Sequence, residues 1–297
     1  MKAAHAGTQT AGGASAVSSG TPSRILVNGE QVAEHLPLLD RGLHYGDGLF
    51  ETVRLHQGRL CQWQRHLDRL LLGAERLGIP APDSGVLRAE GLRAADGLSE
   101  GVLKLILSRG AGGRGYRPPA SPDPVRICLS YPAPAAASED WRRGVAVRYC
   151  RAPASINPIL AGIKHLNRLD SVLARLEWDD AAVAEGLMLD PFGSIVGGTM
   201  TNLFVWDGAR LISPLLDRCG IAGTVRGLTL GLAATMGIEC LVMRIEPADL
   251  RVAAGLFLTN AIIGVWPVRE LDGRPFDLAE LPWDLIESVY DAARDSG

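Results

Sequence analysis

The stretch Ala161-Gly162-Ile163-Lys164-His165-Leu166-Asn167-Arg168-Leu169-Asp170 sets one lysine just ahead of a helix. Asn167 has the side chain of an N-cap, and Leu169, Val172, Leu173 and Leu176 recur at helical spacing behind it. A lysine in that place is ordinarily a solvated surface group. Here Ile159, Leu160, Ile163 and Leu166 flank Lys164 and predict that its ammonium is partly desolvated. Burial lowers an amine's pKa toward neutrality, which makes Lys164 a candidate nucleophile for a carbonyl carbon, or a general base.

The chain around this stretch has 297 residues, enough for one large or two medium domains with a sizeable core. Hydrophobic residues make up 47% and charged residues 21%, the balance of a soluble globular protein. A net charge of −3 gives no electrostatic reason to expect nucleic acid or anionic membrane as a partner. No apolar run reaches the roughly 18 residues that a spanning helix needs. The cysteines (Cys61, Cys128, Cys150, Cys219 and Cys240) are odd in number, far apart and without a C-x-x-C pair. They signal neither a metal site nor a disulfide framework, and read as buried free thiols in a reducing cytoplasm. The first residues lack the apolar core of a signal peptide. Residues 1–23, almost all Ala, Gly, Ser and Thr, read as a disordered tail.

Order is expected from Arg24. Ile25-Leu26-Val27 and Glu30-Gln31-Val32 flank Asn28-Gly29 and predict a β-hairpin. Leu39 to Gly48 reads as a glycine-rich loop that leads into a strand from Phe50 to Leu55. Gln62 to Leu77 predicts an amphipathic helix with Leu67, Leu70, Leu71 and Ala74 inward, and a weaker helix covers about 84–98. Val102 to Leu107 and Val125 to Tyr131 read as strands. The glycine loop between them, Ser108-Arg109-Gly110-Ala111-Gly112-Gly113-Arg114-Gly115-Tyr116, formally contains G-x-G-x-x-G, but Arg117-Pro118-Pro119 follows instead of a helix and rules out a dinucleotide fingerprint. Two arginines in such a loop suit carboxylate recognition, because a guanidinium can grip a carboxylate with two parallel hydrogen bonds.

Pro132 to Ser138 reads as a linker, so the expected division is a smaller domain over 24–133 and a larger one over 139–297. Beyond it come a strand over 145–149 and the lysine segment with a helix to about Ala184. A hairpin over 186–196 and a strand entered from Thr199 follow. A helix runs from about Ile221 to Met236, then strands near 239–245 and 255–259, and a closing helix from Pro282 to Ala293. Gly223 leaves room at the start of the 221–236 helix, and the amides of Thr224 and Val225 make a ready anion site. Arg65 and His66 fall in the first turn of the 62–77 helix. Arginine is electrostatically unfavourable there unless an anion is bound. No internal repeat is visible.

A-G-I-K-H-L-N-R-L-D-S-V-L-A-R resembles the cofactor-lysine segment of the fold-type IV pyridoxal-phosphate enzymes, most closely the 4-amino-4-deoxychorismate lyases. Branched-chain and D-amino acid aminotransferases are more distant members. D-R-G-L-H-Y-G-D-G-L-F-E-T over 40–52, S-R-G-A-G-G-R-G-Y over 108–116 and the turn Gly223-Thr224-Val225-Arg226 are similar to further family signatures, so the likeness runs from about Leu26 to Arg269. It implies an α/β (mixed α+β) fold of two domains with pyridoxal phosphate in the cleft between them, and a homodimer. It assigns Lys164 to the cofactor's carbonyl carbon. Arg65, Thr224, Val225 and Asn260 fall to its phosphate, with Thr52 facing the cofactor. Arg109, Arg114 and Tyr116 fall to the substrate. The implied reaction is conversion of 4-amino-4-deoxychorismate to 4-aminobenzoate and pyruvate.

One departure stands out. Where the family pattern V-x-E-G-T-M-x-N-L-F has a glutamate against the pyridine nitrogen, this chain has Gly197 in Ile195-Val196-Gly197-Gly198-Thr199-Met200-Thr201-Asn202. The missing acid predicts a largely unprotonated ring nitrogen, unless the Thr199 or Thr201 hydroxyl bonds it instead. That counts against an aminotransferase, which needs a strong electron sink. A lyase is helped by the aromaticity its product gains. The rival readings are a D- or branched-chain amino acid aminotransferase and a cofactor-free binding protein on the same fold. Lys164, Arg65 and Gly223-Thr224 argue against the second.

Overall fold

Alternation along two strands builds the first layer. In β3 (Gly48–His56), Leu49, Val53 and Leu55 are buried on one face, while Phe50 and Thr52 are half-buried on the other. In β5 (Gly101–Ser108), Leu103, Leu105 and Leu107 are buried on the same inner face, with Lys104 and Ile106 opposite. The computed structural model describes residues 21–31, 38–134 and 141–296; most of the expected tail and residues 135–138 of the expected linker lie outside these.

β1 (Arg24–Val27) and β2 (Glu30–Gln31) form the expected hairpin, with Asn28 at φ 49° and Gly29 at φ 82° in the turn. The stretch read as a glycine loop contains α1 (Arg41–Tyr45), a short helix capped where the Asp40 side chain accepts from Gly42 N. After β3 come β4 (Arg59–Leu60), α2 (Trp63–Leu77), α3 (Ser84–Ala95), β5 and β6 (Val125–Pro132). The strands make a six-stranded antiparallel sheet in the order β2-β1-β6-β5-β3-β4. Leu67, Leu70 and Ala74 of α2 and Leu87 of α3 join its inner face in one core. Each buried leucine contributes on the order of 1.5–3 kcal/mol.

The second sheet uses β7 (Val145–Tyr149), β8 (Val183–Leu189), β9 (Ile195–Gly198), β10 (Asn202–Trp206), β11 (Leu211–Pro214), β12 (Cys240–Met243), β13 (Gly255–Asn260), β14 (Gly264–Leu271) and β15 (Arg274–Pro275). Its order is β12-β11-β10-β13-β14-β7-β8-β9, with β15 against β14. The pairs β11–β12, β14–β7 and β7–β8 are parallel. The helices of this half are α4 (Leu169–Arg175), α5 (Thr224–Thr235), α6 (Pro247–Leu250) and α7 (Trp283–Ala292). Val225 and Leu228 of α5 and Leu285, Ile286 and Val289 of α7 cover the stacked pair Phe204 and Phe257. The fold is mixed α/β, as the sequence implies.

The helix behind the lysine is shorter than its periodicity predicts. α4 ends at Arg175 instead of Ala184, because buried Trp178 turns the chain, its indole Nε1 donating to Val183 O at 3.1 Å. Asn167 does not cap it; its Nδ2 donates to Gly46 O at 3.0 Å. The apolar positions Leu169, Val172, Leu173 and Leu176 are 51–76% exposed. Their spacing is helical, but the described residues leave them uncovered.

Candidate active site

Backbone bonds on both sides fix Lys164. Phe50 N donates to Lys164 O at 2.9 Å and Leu166 N to Gly48 O at 3.0 Å, which ties the segment to β3. On the other side Gly162 N donates to Gly220 O at 2.9 Å and Ala222 N to Gly162 O at 3.0 Å, which ties it to the turn before α5. The side chain is half-buried, with Nζ 4.2 Å from the centroid of the Phe50 ring. Burial first, then the Arg69 cation, pulls its pKa down to about 8. Ile163 is fully buried beside it, and Leu160 and Leu166 are half-buried, but Ile159 faces solvent.

A buried ionic cluster stands behind the lysine. Glu51 of β3, 1% exposed, accepts from His66 Nδ1 at 2.6 Å and from Arg69 Nε and Nη2 at 2.8 and 2.5 Å. Burial alone would raise its pKa; the Arg69 charge and the Arg69 and His66 hydrogen bonds outweigh that and hold it at about 2. Burial keeps His66 below its ordinary value against the pull of Glu51. A neutral His66 that donates from Nδ1 presents Nε2 as an acceptor, 3.5 Å from Thr224 Oγ1.

Arg69 reaches from this cluster to the start of α5, where Nη1 donates to Ala222 O at 3.0 Å. Gly223 caps α5 without a side-chain bond, and the first helical bond runs from Gly227 N to Gly223 O. The amides of buried Thr224 and Val225 therefore have no partner within the helix. Amides at a helix start beside a guanidinium make a site for a dianion.

Arg65, the expected phosphate ligand, also approaches α5 but from its solvent side: its Nη1 lies 3.8 Å from where a Cβ on Gly227 would stand. It is exposed, and its Nε donates to Gln62 Oε1 at 3.1 Å. α2 buries Trp63, His66, Leu67, Leu70, Gly73 and Ala74. Arg69 flanks that stripe, while Arg65 lies about 40° further toward solvent. The burial stripe was legible in the sequence and could have selected Arg69. Asn260 closes a turn, its Oδ1 accepting from Ile262 N at 2.8 Å and Ile263 N at 2.9 Å, and its Nδ2 donates to Met200 O at 3.4 Å.

Thr52 is on the Phe50 face of β3 and pairs in register with Lys104 of β5. Lys104, half-buried with Nζ 5.6 Å from the Phe50 centroid, is a second ammonium on this face that the sequence reading left unassigned.

The glycine loop divides. Arg109 is 5% exposed; Nε and Nη2 donate to Asp47 at 2.8 and 3.0 Å, and Nη1 and Nη2 to Gly78 O and Leu77 O at 2.8 and 2.7 Å. Four of its five N–H groups are committed, so it anchors the fold and is not available as a carboxylate grip. Arg41, 4% exposed, shares Asp47 at 2.7 Å and donates to Tyr116 O at 2.9 Å, holding the loop from behind. Burial works against ionised Asp47, but hydrogen bonds and charge from Arg109 and Arg41 win and lower its pKa. Arg114 is exposed, and Tyr116 is 84% exposed with its ring edge-on to Tyr45.

The model of the class IV aminotransferases matches residues 48–271, three quarters of the chain. The chain belongs to that family. An aminodeoxychorismate lyase from Vibrio harveyi is 34% identical over 234 residues, 79% of this chain and 86% of that one. The crystal structure of 4-amino-4-deoxychorismate lyase from Pseudomonas aeruginosa superposes with a TM-score of 0.86 at 43% identity, over 91% of this chain and 100% of that one. A branched-chain-amino-acid aminotransferase from Pseudomonas aeruginosa is 30% identical over 249 residues, 80% of each chain. The family's cofactor is pyridoxal phosphate, and this chain is a pyridoxal-phosphate enzyme. The geometry fits that group: a cation and free amides for a phosphate, and an amine of lowered pKa for a carbonyl carbon.

Arg69→Ala should weaken pyridoxal phosphate binding by about ten- to a hundredfold, the worth of a charge-assisted bond of roughly 1.5–3 kcal/mol. Arg65→Ala should change it by less than about twofold. Fluorescence titration of the apoprotein with cofactor decides between them. Asp47→Ala should destabilise the fold by about 3–5 kcal/mol in urea, because it leaves two buried guanidiniums unpaired.

Proposed function

We propose that the enzyme is a lyase that converts 4-amino-4-deoxychorismate to 4-aminobenzoate and pyruvate, a step of folate biosynthesis in the cytoplasm. The observation that carries this reading is Lys104. It adds a cation beside Thr52 and Lys164, on a face that an amino acid with one carboxylate and an apolar side chain has no use for. The substrate has two carboxylates. Lys104 takes one and Arg114 of the exposed glycine loop the other, with the Tyr116 ring beside it. The 43% identity with a lyase of this name supports the same reading.

Arg69, with the amides of Thr224 and Val225, holds the phosphate, and Glu51 keeps Arg69 aimed. Asn260 braces the loop at Met200. When bound, pyridoxal phosphate supplies an electron sink for the carbon that carries the substrate amine. Lys164, more readily neutral at its lowered pKa than an ordinary lysine, takes the proton from that carbon. The enolpyruvyl ether bond then breaks, the ring becomes aromatic, and Lys164 returns the proton as pyruvate forms. No water is consumed, since product atoms equal substrate atoms. Thr52 lies on the face where it can orient the Lys164 amine.

We also read residues 24–133 and 139–297 as two domains with the cofactor between them, in a homodimer. The bare stripe Leu169, Val172, Leu173 and Leu176 on α4 supports a dimer, because a patch of this kind is ordinarily covered by a partner.

Incubation with 4-amino-4-deoxychorismate should release 4-aminobenzoate and pyruvate in equal amounts. Amino-acid-dependent conversion of a keto acid without that release would identify an aminotransferase instead. Borohydride reduction should label Lys164, and label on Lys104 would overturn the assignment. Cofactor attachment, followed by visible absorbance, should speed up as pH rises and level off above about 8, as Lys164 loses its proton. Lys104→Ala and Arg114→Ala should each lower kcat/KM by about ten- to a hundredfold. Leu173→Asp should yield monomers in sedimentation.

A further inference from the structure

Besides its phosphate and its carbonyl carbon, a pyridoxal ring presents its nitrogen to the protein. The stretch that carries a glutamate for it in similar proteins has Gly197 here, at φ 153°, with Thr201 O only 2.8 Å from where a Cβ would stand. An acid cannot be restored at 197 without moving the backbone.

A different acid lies close by. Glu185 of β8, the strand beside β9, is fully buried. Its Oε1 accepts from Gly186 N at 2.8 Å, Thr199 N at 3.0 Å and Thr199 Oγ1 at 2.6 Å. Its Oε2 accepts from Met200 N at 3.1 Å and Thr201 Oγ1 at 3.0 Å. Oε2 lies 2.7 Å from where a Cβ on Gly198 would stand, so the carboxylate occupies the space next to the 197–198 backbone. The segment also walls the anion site: Asn202 Nδ2 donates to Ile221 O at 2.8 Å, and the Asn202 side chain fills the room beside Gly223 at the start of α5.

Both threonine hydroxyls direct their protons at Glu185. A hydroxyl that donates to a carboxylate keeps only lone pairs for another partner, and the charge behind it makes those lone pairs better acceptors. It can accept from a protonated ring nitrogen. It can donate to a bare nitrogen only by giving up the stronger, charge-assisted bond.

We propose that Glu185, acting as a positioning residue through the Thr199 and Thr201 hydroxyls, takes the place of the glutamate missing at 197 and keeps the cofactor's ring nitrogen protonated. The charge is set one hydroxyl further back than a direct carboxylate contact. The chain thus keeps an electron sink despite Gly197, against the expectation of an unprotonated ring. This inference rests on pyridoxal phosphate as the cofactor and not on the lyase reaction.

The test is nitrogen-15 NMR of the full chain reconstituted with ring-labelled pyridoxal phosphate at neutral pH. The wild-type resonance should fall in the protonated range. The double variant Thr199→Val, Thr201→Val should move it to the unprotonated range, and Thr199→Ser, Thr201→Ser should keep it in place. Glu185→Gln should move it in the same direction as the valines; the threonine pair keeps the proposal falsifiable where loss of a buried carboxylate unfolds the loop. An unprotonated wild-type nitrogen, or a protonated one that ignores the valine pair, overturns the proposal. Failure of 4-aminobenzoate release with the expected resonances would remove the lyase reading and leave this one standing.

Discussion

The backbone of residues 162–166 is hydrogen-bonded on both sides, to β3 at Gly48 and Phe50 and to the turn at Gly220 and Ala222. That double seam is the constraint on which the site depends. It joins a strand of the first sheet to the turn before α5 and holds the Lys164 backbone between them. A lysine carried on a free loop would have to be ordered at each turnover; this one is ordered by four backbone hydrogen bonds that the fold already makes.

The same seam explains the electrostatics. Glu51 lies on β3 one residue after Phe50, and Arg69 spans from Glu51 to Ala222 on the opposite seam. A buried carboxylate, a guanidinium and a neutral imidazole thus join the two halves of the molecule behind the lysine. Breaking such a buried cluster costs more than forming it contributes, so its value lies in specifying one arrangement of the two halves. Burial, with the Arg69 cation that the cluster holds near Lys164, brings that amine toward neutrality, which ties reactivity to the packing of α2 on β3.

Burial separates the acids and arginines that anchor this fold from those that lie at its surface. Arg41 and Arg109 share Asp47 and fasten α1, the end of α2 and the glycine loop together. Glu185 fastens the loop over 199–201. Arg114 is exposed and Lys104 half-buried. Two arginines five residues apart in one glycine-rich loop therefore do unlike work, and the difference is the accessible carbonyls and carboxylate that happen to surround the first.

Much was legible without coordinates. The runs Phe50 to Leu55 and Val102 to Leu107 gave away β3 and β5, the Asn28-Gly29 pair its hairpin, and the stripe of Leu67, Leu70 and Ala74 the buried face of α2, because these patterns depend only on local geometry. The Lys164 segment and the Gly223-Thr224 turn were legible for the same reason: each is contiguous. What the sequence could not decide were the pairings between distant segments. Which arginine of α2 reaches Ala222, whether Arg109 is free or committed, and which acid stands beside the 197–198 backbone all depend on segments that meet only in three dimensions. A residue's type sets what it can donate or accept; tertiary structure alone sets what is within about 3 Å of it.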